Sequence, residues 1–367
     1  MAKLLEITGK ALSGEWGSND ETGNGIPVLR TTNFTNEGVV DFNNVVTRNI
    51  TKKKIEEKYL RKGDIIIEKS GGSDKQPVGR VIYFDGPDNT YLFNNFTGLL
   101  RVKNQKAWYP RYVFYSLFSN YRKGGTRPFE NKTTGLHNLK TDDYVSRYEV
   151  VETDMSTQIQ ICDQLDRMYG IIKMRQQELQ KLDELIKARF VEMFGDININ
   201  DKGWDFQPLG ELCTIVRGGS PRPIERFLGG NVPWIKIGDA TEGESIYLNS
   251  TKEHIIQEGI KKSRLVKAGS LIFANCGVSL GFARIITFDG CIHDGWLAME
   301  DIDERLDKVF LLQALNQMTE HFRAIAPAGT QPNLNTAIMK AYKQILPPIE
   351  MQKVFIEFCK QVDKSKV

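Results

Sequence analysis

Residues 161–193 read ICDQLDRMYGIIKMRQQELQKLDELIKARFVEM. Ile161, Leu165, Met168, Ile172, Arg175, Leu179, Leu182, Ile186, Arg189 and Met193 are spaced by alternating steps of four and three, the period of a coiled-coil seam, and eight of these ten are apolar. The spacing predicts one long helix of about 40 residues, or ~60 Å at 1.5 Å per residue, which is a spacer rather than a joint. After Pro347-Pro348, the series Met351, Phe355, Phe358, Val362, Ser365 repeats the same phase and predicts a shorter second helix. Run back antiparallel, its Met351, Phe355, Phe358 and Val362 would cover positions 179–193. Ile161, Leu165, Met168 and Ile172 would then be left as an apolar stripe for another chain.

Outward from this helix, the flanking regions repeat one another. Ile26-Pro27-Val28-Leu29-Arg30 returns as Val232-Pro233-Trp234-Ile235-Lys236, and Lys62-Gly63-Asp64-Ile65-Ile66 as Ala268-Gly269-Ser270-Leu271-Ile272, both at an offset of 206. Phe84-Asp85-Gly86 matches Phe288-Asp289-Gly290 at 204, with Arg80 opposite Arg284. Tyr112-Val113-Phe114 faces Lys308-Val309-Phe310, and Cys162-Asp163-Gln164-Leu165 faces Cys359-Lys360-Gln361-Val362. Each copy begins with β-type runs separated by Gly-rich turns and continues into a helix, seen most clearly over 306–325. The expected architecture is α+β, with an internal pseudo-two-fold repeat. Two similar domains of mixed β-sheet plus helices, 1–150 and 201–346, are joined by antiparallel coiled-coil-type helices at 151–200 and 347–367.

Length and composition agree with this plan. The chain has 367 residues, 40 % hydrophobic and 26 % charged, which suits two globular domains and excludes fibrous or disordered classes. No apolar run approaches the ~20 residues of a membrane span, and Glu6 interrupts the start before a signal-type core could form. Five dispersed cysteines (162, 213, 276, 291, 359) point to buried thiols in a reducing cytoplasm and not to a disulfide framework. Residues 1–150 hold 23 Lys and Arg against 17 Asp and Glu, a net +6, whereas 201–346 hold 16 against 17, a net −1. An anionic partner is therefore expected for the first domain.

The catalytic signatures of dinucleotide sites, P-loops, zincins and serine hydrolases are missing, and so is an Asn/Asp-Pro-Pro-aromatic string of the amino-methyltransferase type. Cys276, Cys291 and the dispersed histidines read as structural, so no catalytic residue, metal ligand or cofactor of this chain is expected. The repeated polar residues gather in loops. Arg30, Thr31 and Asn33 correspond to Lys236 and Asp239 after matching strands, and such side chains suit phosphates and base edges. Lys69, Ser70 and Lys75 share a place between strands with Asn275 and Ser279. Arg127, His137 and Asn138 in the first copy, and Thr330, Gln331 and Asn333 in the second, complete the candidate set. Asn335 or Thr336 reads as a helix cap. An alternative is a twin-module scaffold or carbohydrate binder using Trp16, Trp108 and Trp234 as aromatic platforms.

The order of domain, long heptad helix, second domain and second heptad helix resembles the specificity subunit of type I restriction-modification systems. Particular strings look like that family's: Trp204-Asp205-Phe206-Gln207-Pro208-Leu209-Gly210-Glu211-Leu212, Val232 to Asp239, Gly329-Thr330-Gln331-Pro332-Asn333-Leu334, and Leu346-Pro347-Pro348-Ile349-Glu350-Met351-Gln352. The first copy departs from the pattern at Gly135-Leu136-His137-Asn138 and Val151-Glu152-Thr153-Asp154. The resemblance implies a non-catalytic reader of a split, asymmetric double-stranded DNA target. Two modification subunits would methylate adenine with S-adenosylmethionine, and restriction subunits would join them. Ile161, Leu165, Met168, Ile172, Leu179, Leu182, Ile186, Phe355, Phe358 and Val362 would form a partner interface or a surface for self-association.

Overall fold

The computed structural model describes residues 1–51, 55–133, 136–241, 246–277, 279–327 and 333–366. The chain divides into two compact units, Met1–Lys173 and Met174–Val367, and the division falls inside the helix Met155–Phe194.

In the first unit, Leu12–Ser13, Thr97–Leu100, Ile65–Glu68 and Val81–Tyr83 form an antiparallel sheet in that order. A second sheet places Ser18–Asn19, Val46–Asn49, Ile26–Leu29 and Leu92–Phe93 side by side, the last pair parallel. Ile65 and Ile67 point to one core, against Val113, Leu117 and Tyr144, and Ile66 points to the other, against Leu29 and Phe93. This alternation of buried faces is that of a strand covered on both sides. The second unit repeats the plan. Thr214–Arg217, Trp296–Glu300, Leu271–Ala274 and Ala283–Ile286 make the first sheet, extended by Tyr247–Leu248. Glu253–Ile255, Leu228–Ile235, Gly290–Ile292 and Arg264–Val266 make the second, again with one parallel pair.

The repetition extends to single backbone hydrogen bonds. Asn94 N donates to Leu29 O at 3.0 Å and His293 N to Ile235 O at 3.0 Å; Leu139 N donates to Lys69 O and Leu334 N to Asn275 O, both at 2.8 Å. Gly14 and Gly218 occupy one position, where an added Cβ would lie 2.1 Å from Asn94 O or 2.2 Å from His293 O, so only glycine fits. The register corrects one expected match. Ile66 faces Ile82 while Ile272 faces Arg284, so Arg284 stands where the first unit has Ile82, and Phe282 where it has Arg80. The Phe-Asp-Gly strings are out of step for the same reason. Backbone pairing sets the alignment, and the turn before Gly281 is shorter than the turn before Gly79.

The helix predicted over 306–325 is interrupted. It runs Lys308–Gln317, leaves helical geometry at Met318 (φ −91°, ψ 10°) and resumes as Thr319–Ile325. Asp307 caps the first part by accepting from Val309 N at 2.7 Å, and Asn335 caps Thr336–Ala341 by accepting from Ile338 N at 2.9 Å.

Met155–Phe194 is one 40-residue helix. Within the second unit it meets the helix Ile349–Lys364 antiparallel: Phe355 packs edge-on against Phe190 and Phe194 at 5.4 and 5.6 Å, while Arg175 Nη2 donates to Ser365 O at 3.3 Å. Ile186, Phe355 and Val362 are thereby buried in that unit's own core, with Leu182 and Phe358 packed on it, and Leu179 is half-buried. These residues do not form the free partner surface expected of them, because the same chain already covers them. In the first unit the helix buries Gln158 and Cys162 and rests Leu165 on the core. Ile161, Met168 and Ile172 remain 36 %, 59 % and 51 % exposed, joined by Ile171 at 62 %.

Candidate nucleic-acid interface

The loops that follow the two matching strands are built alike. Asn33 Oδ1 accepts from Arg30 N at 3.0 Å, and Asp239 Oδ2 accepts from Lys236 N at 2.8 Å, each closing a short 3-10 turn. Asn33 is 2 % exposed, and its amide also donates to Asp41 O and Asn43 O at 3.0 and 3.2 Å. Asp239 further accepts from Thr251 Oγ1 at 2.8 Å. Both side chains shape their loops and do not face a ligand, which corrects their place among the expected direct contacts. Arg30, Thr31 and Lys236 are half-exposed. Lys236 pairs with Glu253 and lies 5.3 Å over the Trp234 ring.

The first loop is tied down from beneath by Arg80. Its guanidinium bridges Glu68 in a bidentate pair (2.9 and 3.1 Å) and donates to Thr31 O and Phe34 O at 3.0 and 3.3 Å. Glu68 is 1 % exposed, so this is a buried ion pair in which both carboxylate oxygens accept and all three guanidinium nitrogens donate.

Other expected contacts separate into buried and exposed. Lys69 donates to Ser13 Oγ at 2.9 Å, and burial pulls its ammonium pKa down against the opposing pull of Asp142. At the equivalent position Asn275 is fully buried, with its amide on Asn333 Oδ1 and Leu334 O, both at 3.1 Å. His137 is 6 % exposed, with Nδ1 3.1 Å from Glu130 and Nε2 3.7 Å from Asp74. Asn275 and His137 therefore staple loops together, a correction imposed by burial, and Asn333, half-buried, spends its Oδ1 on Asn275. Ser70 and Asn138 pair across neighbouring strands, and Ser279 is half-buried. Thr330 and Gln331 lie outside the described residues.

Two clusters were not anticipated. In the second unit, Arg217-Gly218-Gly219-Ser220-Pro221-Arg222 runs beside His293 and Asp294. Asp294 Oδ1 accepts from Ser220 Oγ at 2.8 Å and lies 3.0 Å from His293 Nε2; Arg217 Nε donates to Asp294 O at 3.1 Å, and Arg222 stands 3.6 Å away, 82 % exposed. Burial lowers the His293 pKa, helped by Lys236, Arg222 and Arg217 and opposed by Asp294. The paired glycines flanked by arginines and Ser-Pro were the available signal, since such a loop can bring backbone and cations close to a ligand. In the first unit Lys75 and Arg127 join Arg122 and Lys123 around a cleft of about 620 Å³, also lined by Asn36, Gln76 and Tyr121.

The aromatic platforms of the alternative reading are not available to sugars. Trp108 and Trp234 are 9 % and 3 % exposed, and Trp16 lies under the Arg48 guanidinium at 4.1 Å. Among the described residues no group of three His, Cys, Asp or Glu could hold a metal ion, and no helix is long and apolar enough to cross a membrane. Burial pushes the thiols of Cys162, Cys213 and Cys359 up to about 12.

The whole chain superposes, at 15 % identity and TM-score 0.56, on 90 % of a chain from a structure concerned with complex assembly and conformational transition of the type I R-M system. At 14 % identity and TM-score 0.55, 99 % of it matches 89 % of a type I restriction-modification system S subunit from M. genitalium. A specificity subunit of the type I restriction enzyme MjaIX, from Methanocaldococcus jannaschii, is 23 % identical over 177 residues, 46 % of this chain. That match spans 41 % of the relative's length. The family described as type I restriction modification DNA specificity domain matches residues 2–184 and again 201–367, one copy on each side of the duplication. The chain therefore belongs to the family of type I restriction-modification DNA specificity proteins.

Proposed function

We propose that this chain is the non-catalytic DNA-reading subunit of a type I restriction-modification complex, each unit reading one half of a split, asymmetric target. The observation that carries the reading is a single backbone frame used twice with different half-exposed or exposed polar side chains on it: Arg30 stands where the second unit has Lys236, and Arg217 and Arg222 flank a loop of the second unit only. A repeated frame fixes where a loop meets a groove, and the differing side chains let each half demand its own bases. Arg30 and Thr31 are the outward groups for the first half, and Lys236, Arg217 and Arg222 those for the second.

Adenine methylation with S-adenosylmethionine and DNA cleavage belong, in this reading, to two modification subunits and to restriction subunits in the cytoplasm. The exposed apolar stripe Ile161, Met168, Ile171 and Ile172 supports a docking surface for such a subunit. Methylome sequencing of cells expressing this chain with its partner subunits tests the proposal. A bipartite methylated motif that disappears with this chain is expected. Unchanged methylation on its removal overturns it.

A further inference from the structure

We propose that the basic cleft of the first unit seats the sugar-phosphate backbone of duplex DNA, so that this unit supplies most of the sequence-independent affinity and the second unit little of it. The inference rests on the DNA-reading function and adds a division of labour to it.

The cleft gathers cations from three separate segments. Lys75 comes from the turn after Ser70–Gly72, Arg122 and Lys123 from the end of the helix Pro110–Arg122, and Arg127 from the 3-10 turn Arg127–Phe129. Its other lining residues are neutral, and among the described residues none of the four cations is ion-paired. Asp74, next to Lys75, has its carboxylate 3.7 Å from His137 Nε2. Four like charges around one cleft repel each other, and a polyanion relieves that repulsion.

The walls are held in shape. Arg122 Nη1 donates to Asn36 O at 3.4 Å, Gln76 Nε2 to Asn36 Oδ1 at 3.4 Å, Tyr121 Oη to Pro77 O at 3.1 Å, and Arg127 Nη2 to Asp74 O at 3.5 Å. Through Asn36 the cleft borders the segment that follows Phe34, whose carbonyl Arg80 holds. Lysines on flexible stems act as point charges and suit phosphates better than base edges. The corresponding end of the second unit's helix carries Glu320 paired with Arg323 at 2.8 Å, and that domain's net charge is −1 where the first has +6.

The experiment is fluorescence anisotropy of the full chain on a random-sequence duplex of about 30 bp across a sodium chloride series, read as the slope of log K against log salt. The variant Lys75→Gln/Arg122→Gln/Lys123→Gln/Arg127→Gln is expected to flatten the slope by about 3 to 4, at about 0.9 per lost phosphate contact. The charge-keeping variant Lys75→Arg/Arg122→Lys/Lys123→Arg/Arg127→Lys should retain the wild-type slope, which separates lost charge from lost fold. A matched removal of four exposed charges in the second unit, Lys252→Gln/Lys261→Gln/Arg264→Gln/Lys267→Gln, should change the slope by less than about 1. An unchanged slope in the cleft variant, or an equal change in the second-unit variant, overturns the division of labour while leaving the DNA-reading function standing. A wild-type chain that binds no duplex overturns both.

Discussion

Gln158 and Gln352 make the same three hydrogen bonds, one in each unit. Gln158 Oε1 accepts from Tyr109 N at 2.8 Å and its Nε2 donates to Ala107 O and Thr153 O, both at 2.9 Å. Gln352 Oε1 accepts from Asp307 N at 2.8 Å and its Nε2 donates to Arg305 O at 2.9 Å and Pro347 O at 2.8 Å. Both are fully buried, and each ties the first turn of a heptad helix to the residues that open the domain's main helix. An amide is the only side chain that accepts and donates twice at this length without charge.

Replacing Gln352 by leucine keeps the volume but strands Asp307 N and two carbonyls. A loss of about 1–3 kcal/mol of stability is expected in urea unfolding of the full chain, and Gln158→Leu should cost as much. A change within a few tenths of a kcal/mol in both would show that the clamp is dispensable.

The Glu68–Arg80 pair gives a second test. Glu68→Ala leaves a buried guanidinium without its counter-charge and should destabilise by about 3–5 kcal/mol, while Glu68→Leu/Arg80→Met should recover much of that loss. Because Arg80 also holds Thr31 O and Phe34 O, the double variant is expected to keep its fold yet lose discrimination in the first half-site. Methylome sequencing would read that as degeneracy confined to one half of the motif.

Exposed loop residues should divide by unit. Arg30→Ala should relax one half of the motif, and Lys236→Ala or Arg222→Ala the other, at about 1–3 kcal/mol for each lost base contact. A uniform loss across both halves with a shallower salt slope would identify a phosphate contact.

His293 predicts a pH dependence. Its folded pKa lies below the unfolded value of 6.5, so the unfolded chain binds more protons as the pH falls through 6.5. Its contribution is present above that pH and is lost below it, until the folded value is reached. Stability measured from pH 7.5 downward should therefore decline, and His293→Gln should flatten that part of the curve. An identical decline in the variant would place the titration elsewhere.

Local chemistry was readable directly: the four-three spacing of the long helix, the cap at Asn335, the β-type runs and the duplication all lie within short stretches, where propensity and periodicity act. The candidate site was readable only as a set of loops. Arg30, Lys75, Arg127 and Lys236 proved exposed or half-exposed, whereas Asn33, His137 and Asn275, of equally polar type, turned inward. Nothing in their immediate neighbours distinguishes the two groups.

By itself, the sequence determined that one domain plan occurs twice, that a long helix follows the first copy, and that the basic charge sits in the first copy. The tertiary structure decided which side chains are free to act. Burial is set by partners remote along the chain: Asn275 meets Asn333 58 residues away and Arg122 meets Asn36 86 residues away. It also decided that Phe355 and Val362 belong to their own unit's core while Met168 and Ile172 stay in water, because a helix seam is buried only where the fold supplies an opposing face.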